Sequence, residues 1–242
     1  MPWPAWAVWG EEGNMIVFIQ NDQDVPAGAY ADWLLEEGIP FRIVRPYLNE
    51  EIPLPDKIAA SIVLGGVMGA NETAKYPSLL TVRNFIHHTV TAGRPYLGIC
   101  LGGQLLADVF GAPVRSNTHG ERGVHSINLT REGINDPLFH GVPEQFISFQ
   151  WHNDSFDIPA GALRLANSAA CPNQALRYGK NAYGLQFHPE MNANIVATWC
   201  LDEATGSLET EQIVLLFKKK EEAYRMYSRQ ILCNFLRIAG IS

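Results

Sequence analysis

The chain has 242 residues, of which 47% are hydrophobic, 10% aromatic and 18% charged, an ordinary globular composition that excludes a disordered or fibrous protein. That length fits one large domain or two small ones and buries enough surface to need no disulfide or metal staple. With 18 Lys and Arg against 25 Asp and Glu the net charge is -7, which argues against a duplex nucleic-acid partner.

The chain opens on MPWPAWAVWGEEGN, which carries no Lys or Arg before its Glu pair and has two prolines before Gly10. It reads as an apolar arm over residues 1–13, folded onto the body or onto a second protomer through Trp3, Trp6 and Trp9, rather than as a signal peptide. No run of about 18 apolar residues occurs, so no membrane span is expected. Cys100, Cys171, Cys200 and Cys233 form no C-x-x-C pair, and reduced thiols in a cytoplasmic protein are expected.

Met15–Ile19 is the first predicted strand, and a helix is expected over Pro26–Glu37 with Gly38 as its stop. Phe41–Val44 is a second strand, Arg45–Pro55 a proline-rich surface connection, and Ser61–Leu64 a third strand ending at Gly65-Gly66. A helix over Leu79–Thr91, a strand over Pro95–Ile99 and a helix over Leu101–Phe110 follow. This alternation implies βαβ units and a parallel sheet, and the continuous apolar runs MIVFI and SIVL imply strands covered on both faces. After about Arg115 the pattern changes to closely spaced strands: Val124–Leu129, Gln145–Phe149, Ala162–Ala166, Gln174–Arg177 and Ala182–Phe187. No long helix lies between them, so an antiparallel addition to the same domain is expected. Helices over about Asn192–Glu203 and Leu208–Ile238 close the chain, the second with Tyr224, Tyr227, Ile231, Phe235 and Ile238 on one face and a solvated Lys218-Lys219-Lys220 cluster. The expected organisation is an arm (1–13), a main domain (14–204) and a helical extension packed on it (205–242).

The most distinctive segment is YLGICLGGQLLADVFG, residues 96–111. A strand runs into Cys100 and a helix leaves it, with Gly98, Gly102 and Gly103 alongside, which is the setting of a nucleophile elbow. Small neighbours are needed because the nucleophile sits in a strained backbone conformation. The helix N-terminus favours a thiolate, and the N–H of Leu101 is an expected oxyanion donor. A free cysteine is ordinarily just buried; the Gly-x-Cys-x-Gly context reverses that reading for Cys100, and the other three cysteines are read as structural.

A thiol nucleophile needs a base, and the base an orienter. His188 in AYGLQFHPEM follows a predicted strand, and Glu190 stands two residues on with Pro189 between them. A carboxylate on one ring nitrogen fixes the tautomer and stabilises the imidazolium, although H-x-E alone would more often be a surface pair. His87 and His88 point apart on a helix, no zinc-ligand spacing occurs, and no metal site is expected. His152 in QWHNDSF sits between a strand and a polar turn. LGGVMGANE, residues 64–72, is not a phosphate loop; at the end of a neighbouring strand Gly66 is placed to offer a second oxyanion donor to Cys100.

Together LGG at 64–66, GICLGGQ at 98–104, QWHND at 150–154 and GLQFHPE at 184–190 resemble the class I (triad-type) glutamine amidotransferases. Within them the chain is most like free-standing proteins resembling the glutaminase domain of GMP synthase, from about Asn14 to Met191. The resemblance implies a doubly wound, flavodoxin-like, mostly parallel α/β sheet with helices on both faces and an antiparallel extension. It implies that Cys100 attacks the side-chain amide of glutamine, that His188 moves the protons, that Glu190 orients His188, and that Gly66 and Leu101 hold the oxyanion. Gln104, Gly65 and His152 are then expected at the substrate. No cofactor is implied.

After Met191 there are two predicted helices and no phosphate loop, so acceptor chemistry using the ammonia is expected on a separate synthetase chain, if there is any. A γ-glutamyl peptidase acting on glutathione-like compounds is a second reading on the same scaffold. A cysteine α/β-hydrolase ranks low because its acid precedes its histidine. A catalytically silent regulatory or binding protein is disfavoured because Cys100, His188 and Glu190 are all present, and an NAD enzyme for want of a fingerprint. A homo-oligomer is left open.

Overall fold

The structure, a computed structural model, describes residues 13, 15–202 and 208–241, with side chains at 202 and 208 left aside. The expected tryptophan arm and the boundary near 204 lie outside the described residues.

Five strands form a parallel half-sheet in the order β2 (Phe41–Val44), β1 (Ile16–Ile19), β3 (Ala60–Val63), β4 (Tyr96–Ile99) and β11 (Ala182–Leu185). From β11 the same sheet continues antiparallel through β10 (Ala175–Tyr178), β9 (Leu163–Asn167), β6 (Glu121–Leu129) and β7 (Gln145–His152). The expected antiparallel addition is therefore continuous with the parallel strands.

The helices are α1 (Gly28–Glu36), α2 (Ser78–Thr91), α3 (Leu101–Val109), α4 (Arg131–Ile134), α5 (Ala193–Asp202) and α6 (Leu208–Ile238). Strand alternation sorts them onto the two faces. Ile16 and Phe18 of β1 share a core with α1 and with Ile231, Leu232 and Phe235 of α6. Val17 and Ile19, from the same strand, share the opposite core with Leu79, Val82 and Ile86 of α2 and Leu105 and Leu106 of α3. Every residue of β1, β3, β4 and β11 is buried, as continuous apolar runs between two helical layers require.

Two boundaries moved for physical reasons. The first helix, expected from Pro26, begins at Gly28, whose φ of +52° leaves helical geometry and where a Cβ would overlap the Glu190 carbonyl oxygen. The next residue, Ala29, donates its N–H to that same carbonyl at 2.8 Å, so a contact with a distant segment sets the helix start. The strands expected at Val124–Leu129 and Gln145–Phe149 are longer, pairing from Glu121↔His152 to Asn128↔Gln145. Their added ends contain the buried polar Glu121, Gln150 and His152, which hydrogen bonds rather than apolar pattern hold in place. A two-stranded ribbon of β5 (Val114–Arg115) and β8 (Ser155–Phe156), together with the short α4, was too brief to leave a periodic signal. Among the described residues no helix is long and apolar enough to cross a membrane.

Candidate active site

The C-terminal ends of β3, β4 and β11 open on one crevice, as expected where adjacent strands of a doubly wound sheet send their connections to opposite faces. Cys100 stands between β4 and α3 with φ 50° and ψ -106°, a positive-φ conformation costing a non-glycine residue about 1–3 kcal/mol. Its N–H still donates to Leu185 O at 2.8 Å, so the last rung of the β4–β11 ladder fixes the turn. A Cβ on Gly102 would overlap the Val63 carbonyl oxygen, and one on Gly98 would overlap the Gly102 carbonyl group. The small residues around Cys100 thus let helix and strands close against each other.

Gly65 and Gly66 end β3 beside this elbow. A Cβ on Gly65 would lie 3.1 Å from His188 Cε1 and 3.6 Å from Cys100 Cβ; one on Gly66 would overlap the Met68 sulfur and come within 2.9 Å of Leu101 Cδ2. Leu101 is the first residue of α3, so its N–H has no acceptor within the helix. The first amide of α3 and the glycine turn that follows β3 therefore lie beside the cysteine.

His188 is fully enclosed, and its Nδ1 lies 2.7 Å from Glu190 Oε1, while the ring is also hydrogen-bonded to Cys100. Burial works against the imidazolium, but the Glu190 carboxylate and the Cys100 sulfur outweigh it and hold the His188 pKa up at about 10. With Nδ1 on Glu190, Nε2 is left for the sulfur. Trp199 of α5 meets the ring edge-on at 5.2 Å. Glu190 is wholly buried, and its second oxygen, Oε2, has no hydrogen-bond partner among the described residues.

The cleft beside this trio measures about 640 Å³, and Gly66, Cys100, Gln104, Trp151, His152 and His188 are among its lining residues. Gln104 donates to the Asp154 carbonyl at 3.2 Å and to Gln186 Oε1 at 3.3 Å. His152 also reaches the cleft, yet both its nitrogens face protein: Nδ1 is 2.9 Å from the Asp154 carbonyl and Nε2 is 3.6 Å from Glu121. Burial would raise the Glu121 carboxyl, but the nearby His152 ring, the hydrogen bond from Ser168 and the nearby His125 ring keep it below the usual range. His152 thereby fixes the turn that carries Asp154.

Further residues in and beside the cleft had not been anticipated. Gln186 donates to the Cys100 sulfur at 3.7 Å; strand alternation places it on the same side as His188, a usable signal. Asp154 and Glu72 put carboxylates at the wall, and Arg122 lies over the Trp151 ring at 5.3 Å. Trp199 comes from α5, and no local pattern connects it to His188. Among the described residues no group of three or more His, Cys, Asp or Glu could hold a metal ion.

The model of the family described as glutamine amidotransferase class-I matches residues 29–198. The chain is 32% identical over 183 residues to the glutamine amidotransferase-like protein YfeJ of Salmonella typhimurium, covering 74% of this chain and 77% of that one. It is 29% identical over 160 residues to one subunit of the glutamine-hydrolysing GMP synthase of Methanothrix thermoacetophila, covering 65% of this chain and 82% of the relative. The solved structure of a glutamine amidotransferase from Thermotoga maritima superposes with a TM-score of 0.84 at 28% identity, covering 95% of this chain and 99% of that one.

Proposed function

The chain belongs to the class-I glutamine amidotransferases, and on that premise we propose that it hydrolyses the γ-amide of glutamine through a thioester on Cys100. The observation that carries the reading is the buried Cys100–His188–Glu190 chain, with its 2.7 Å His–Glu contact and a cysteine held at positive φ against a helix start. His188 holds its proton up to about pH 10, and an imidazolium beside the sulfur favours the thiolate that attacks. The thiolate attacks the amide carbon, and the oxygen's new charge falls to the N–H groups of Gly66 and Leu101. His188 gives its proton to the departing nitrogen, the C–N bond breaks, and ammonia leaves a γ-glutamyl thioester. Neutral His188 then takes a proton from water, the hydroxide attacks, and glutamate departs as the thiolate and imidazolium are restored. Gln104, Gly65 and the turn held by His152 bound the glutamine.

The resemblance to one subunit of a glutamine-hydrolysing GMP synthase supports passing the ammonia to an acceptor bound by a separate synthetase chain. Residues 14–204 are read as the glutaminase body and 205–242 as an extension packed on it. Four cysteines outside any disulfide suit a reducing, cytoplasmic setting.

One observation favours a second reading. The cleft of about 640 Å³ is of the size that holds drug-sized ligands, roughly 300–1,000 Å³, whereas glutamine is much smaller. With Trp151, Trp199 and Arg122 on its wall it has room for a γ-glutamyl compound with a larger leaving group. Purified full-length protein assayed side by side on glutamine and on γ-glutamyl dipeptides separates the two. Faster glutamine turnover supports the glutaminase; faster peptide turnover replaces it with the peptidase.

A further inference from the structure

We propose that α6 belongs to the catalytic apparatus, with Tyr224 and Ser228 as positioning residues for the His188–Glu190 segment. The proposal rests on the reading of Cys100, His188 and Glu190 above, and it concerns a helix beyond residues 29–198, where the family match ends.

The segment lies past the end of β11, where the ladder no longer holds it; among the described residues a single bridge, His188 N–H to Phe149 O at 2.8 Å, ties it to the sheet. A buried backbone needs its polar groups paired, and three carbonyls in a row are paired from outside. The His188 carbonyl accepts from the Tyr224 hydroxyl at 2.8 Å, the Pro189 carbonyl accepts from Ser228 Oγ, and the Glu190 carbonyl accepts from Ala29 N–H at 2.8 Å. The Tyr224 oxygen in turn accepts the N–H of Met191 at 2.9 Å, so one hydroxyl brackets the segment on both sides. Ser228 follows Tyr224 by four residues, one helical turn, and so faces the same way. The Ser228 carbonyl is met by the Tyr30 hydroxyl of α1 at 3.4 Å. Tyr224 and Ser228 are 1% and 2% exposed.

Buried polar side chains always need partners, so satisfied hydrogen bonds alone would signify only stability. What raises these two above that level is the state of the Glu190 carboxylate. One of its oxygens is on His188 and the other has no hydrogen-bond partner among the described residues. Among the described residues the head of the side chain is hydrogen-bonded only by the histidine it is meant to orient. Its placement therefore comes from the backbone, and α6 supplies two of the three groups that hold that backbone.

The test uses the full chain with Tyr224→Phe, Ser228→Ala and the double variant. Two quantities are read: kcat and KM for glutamine, and the pH profile of Cys100 alkylation by iodoacetamide. Among the described residues Cys100, Tyr30 of α1 and Tyr224 of α6 face the His188–Glu190 pair; burial, with Glu190 adding to it, pushes both phenols up, so neither phenol gives the imidazolium signal. Each single variant is expected to lower kcat by about tenfold, the worth of one hydrogen bond of roughly 1.4 kcal/mol, and the double by up to about a hundredfold. KM stays within about twofold because the cleft walls are untouched. A loosened Glu190 supports the imidazolium less, so the alkylation midpoint that reports loss of the imidazolium, at about pH 10 in the unaltered protein, falls by about one pH unit. A merely structural role would lower the melting temperature and leave that midpoint in place. If Tyr224→Phe does not fold, Ser228→Ala carries the comparison. If the unaltered protein turns over no glutamine, the glutaminase reading fails while the alkylation profile still decides this one. A folded double variant with an unmoved midpoint overturns the proposal.

Discussion

Glu190→Gln keeps the side chain's size and removes its charge. In the native site His188 is raised from 6.5 to about 10, a rise worth roughly 5 kcal/mol at about 1.36 kcal/mol per pKa unit. Glu190 shares that support with Cys100, so about half, ~2–3 kcal/mol, is expected to go with the carboxylate, and with it roughly 30–160-fold in kcat/KM at neutral pH. The pH dependence sharpens the expectation. The unaltered protein should lose the imidazolium, and with it proton delivery to the leaving nitrogen, only as pH rises through about 10. In the variant, with about half of that rise gone, the loss should begin about two pH units lower, so activity falls where the unaltered protein still holds its proton. Stability must follow the same sign. The folded pKa lies above the unfolded one, so the carboxylate's stabilisation is complete below about pH 6.5 and disappears as pH climbs through about 10. The gap in melting temperature between the two proteins should therefore narrow over that window. Glutamate release followed against pH, with melting curves at the same pH values, provides the assay. A variant within threefold of the unaltered protein, with a parallel profile, would refute the orienting role of Glu190.

A glutamine analogue with a reactive γ-carbon should label Cys100, as read by peptide mass spectrometry, and labelling that persists in Cys100→Ala would remove this cysteine as the nucleophile. His188→Ala should fold, by circular dichroism, and show at least about 10³-fold lower glutaminase activity. Gly66→Ala should lower kcat by roughly 10²-fold by forcing the β3 end away from Met68 and Leu101 and displacing one amide donor; a kcat within twofold would show that this amide does not meet the oxyanion. Gly102→Ala should destabilise by about 2–3 kcal/mol in a urea titration, because its Cβ has no room against the Val63 carbonyl.

The parts of the site written in contiguous residues were legible beforehand. Cys100 announces itself through its flanking glycines, and His188 and Glu190 are separated by one proline, so their geometry is local. The parallel half-sheet was legible because strands buried on both faces are apolar throughout. Legibility stopped where the stabilising contact is polar or distant. The ends of β6 and β7 escaped because Glu121, Gln150 and His152 are buried by hydrogen bonding, and a hydrophobic pattern does not record that. The apolar face of α6 was readable at Tyr224, Ile231 and Phe235, but the direction of the Tyr224 hydroxyl was not. It depends on α6 meeting the segment that follows β11, a contact between residues 36 apart in the chain.

The way the His188–Glu190 segment is tied down bears on when activity arises during folding. Its carbonyls are gripped by Ala29 from near one end of the chain and by Tyr224 and Ser228 from near the other, and Tyr30 reaches Ser228 across 198 positions of sequence. Such ring closures are slow relative to helix and local turn formation, since loop entropy must be given up before the contacts exist to offset it. The elbow at Cys100 needs only β3, β4, β11 and α3, so an elbow with its thiol in place can form while the histidine and its carboxylate are still loose. Turnover would then begin only once α1 and α6 have both docked, making catalysis a late reporter of native assembly, slower to return on refolding than helical content.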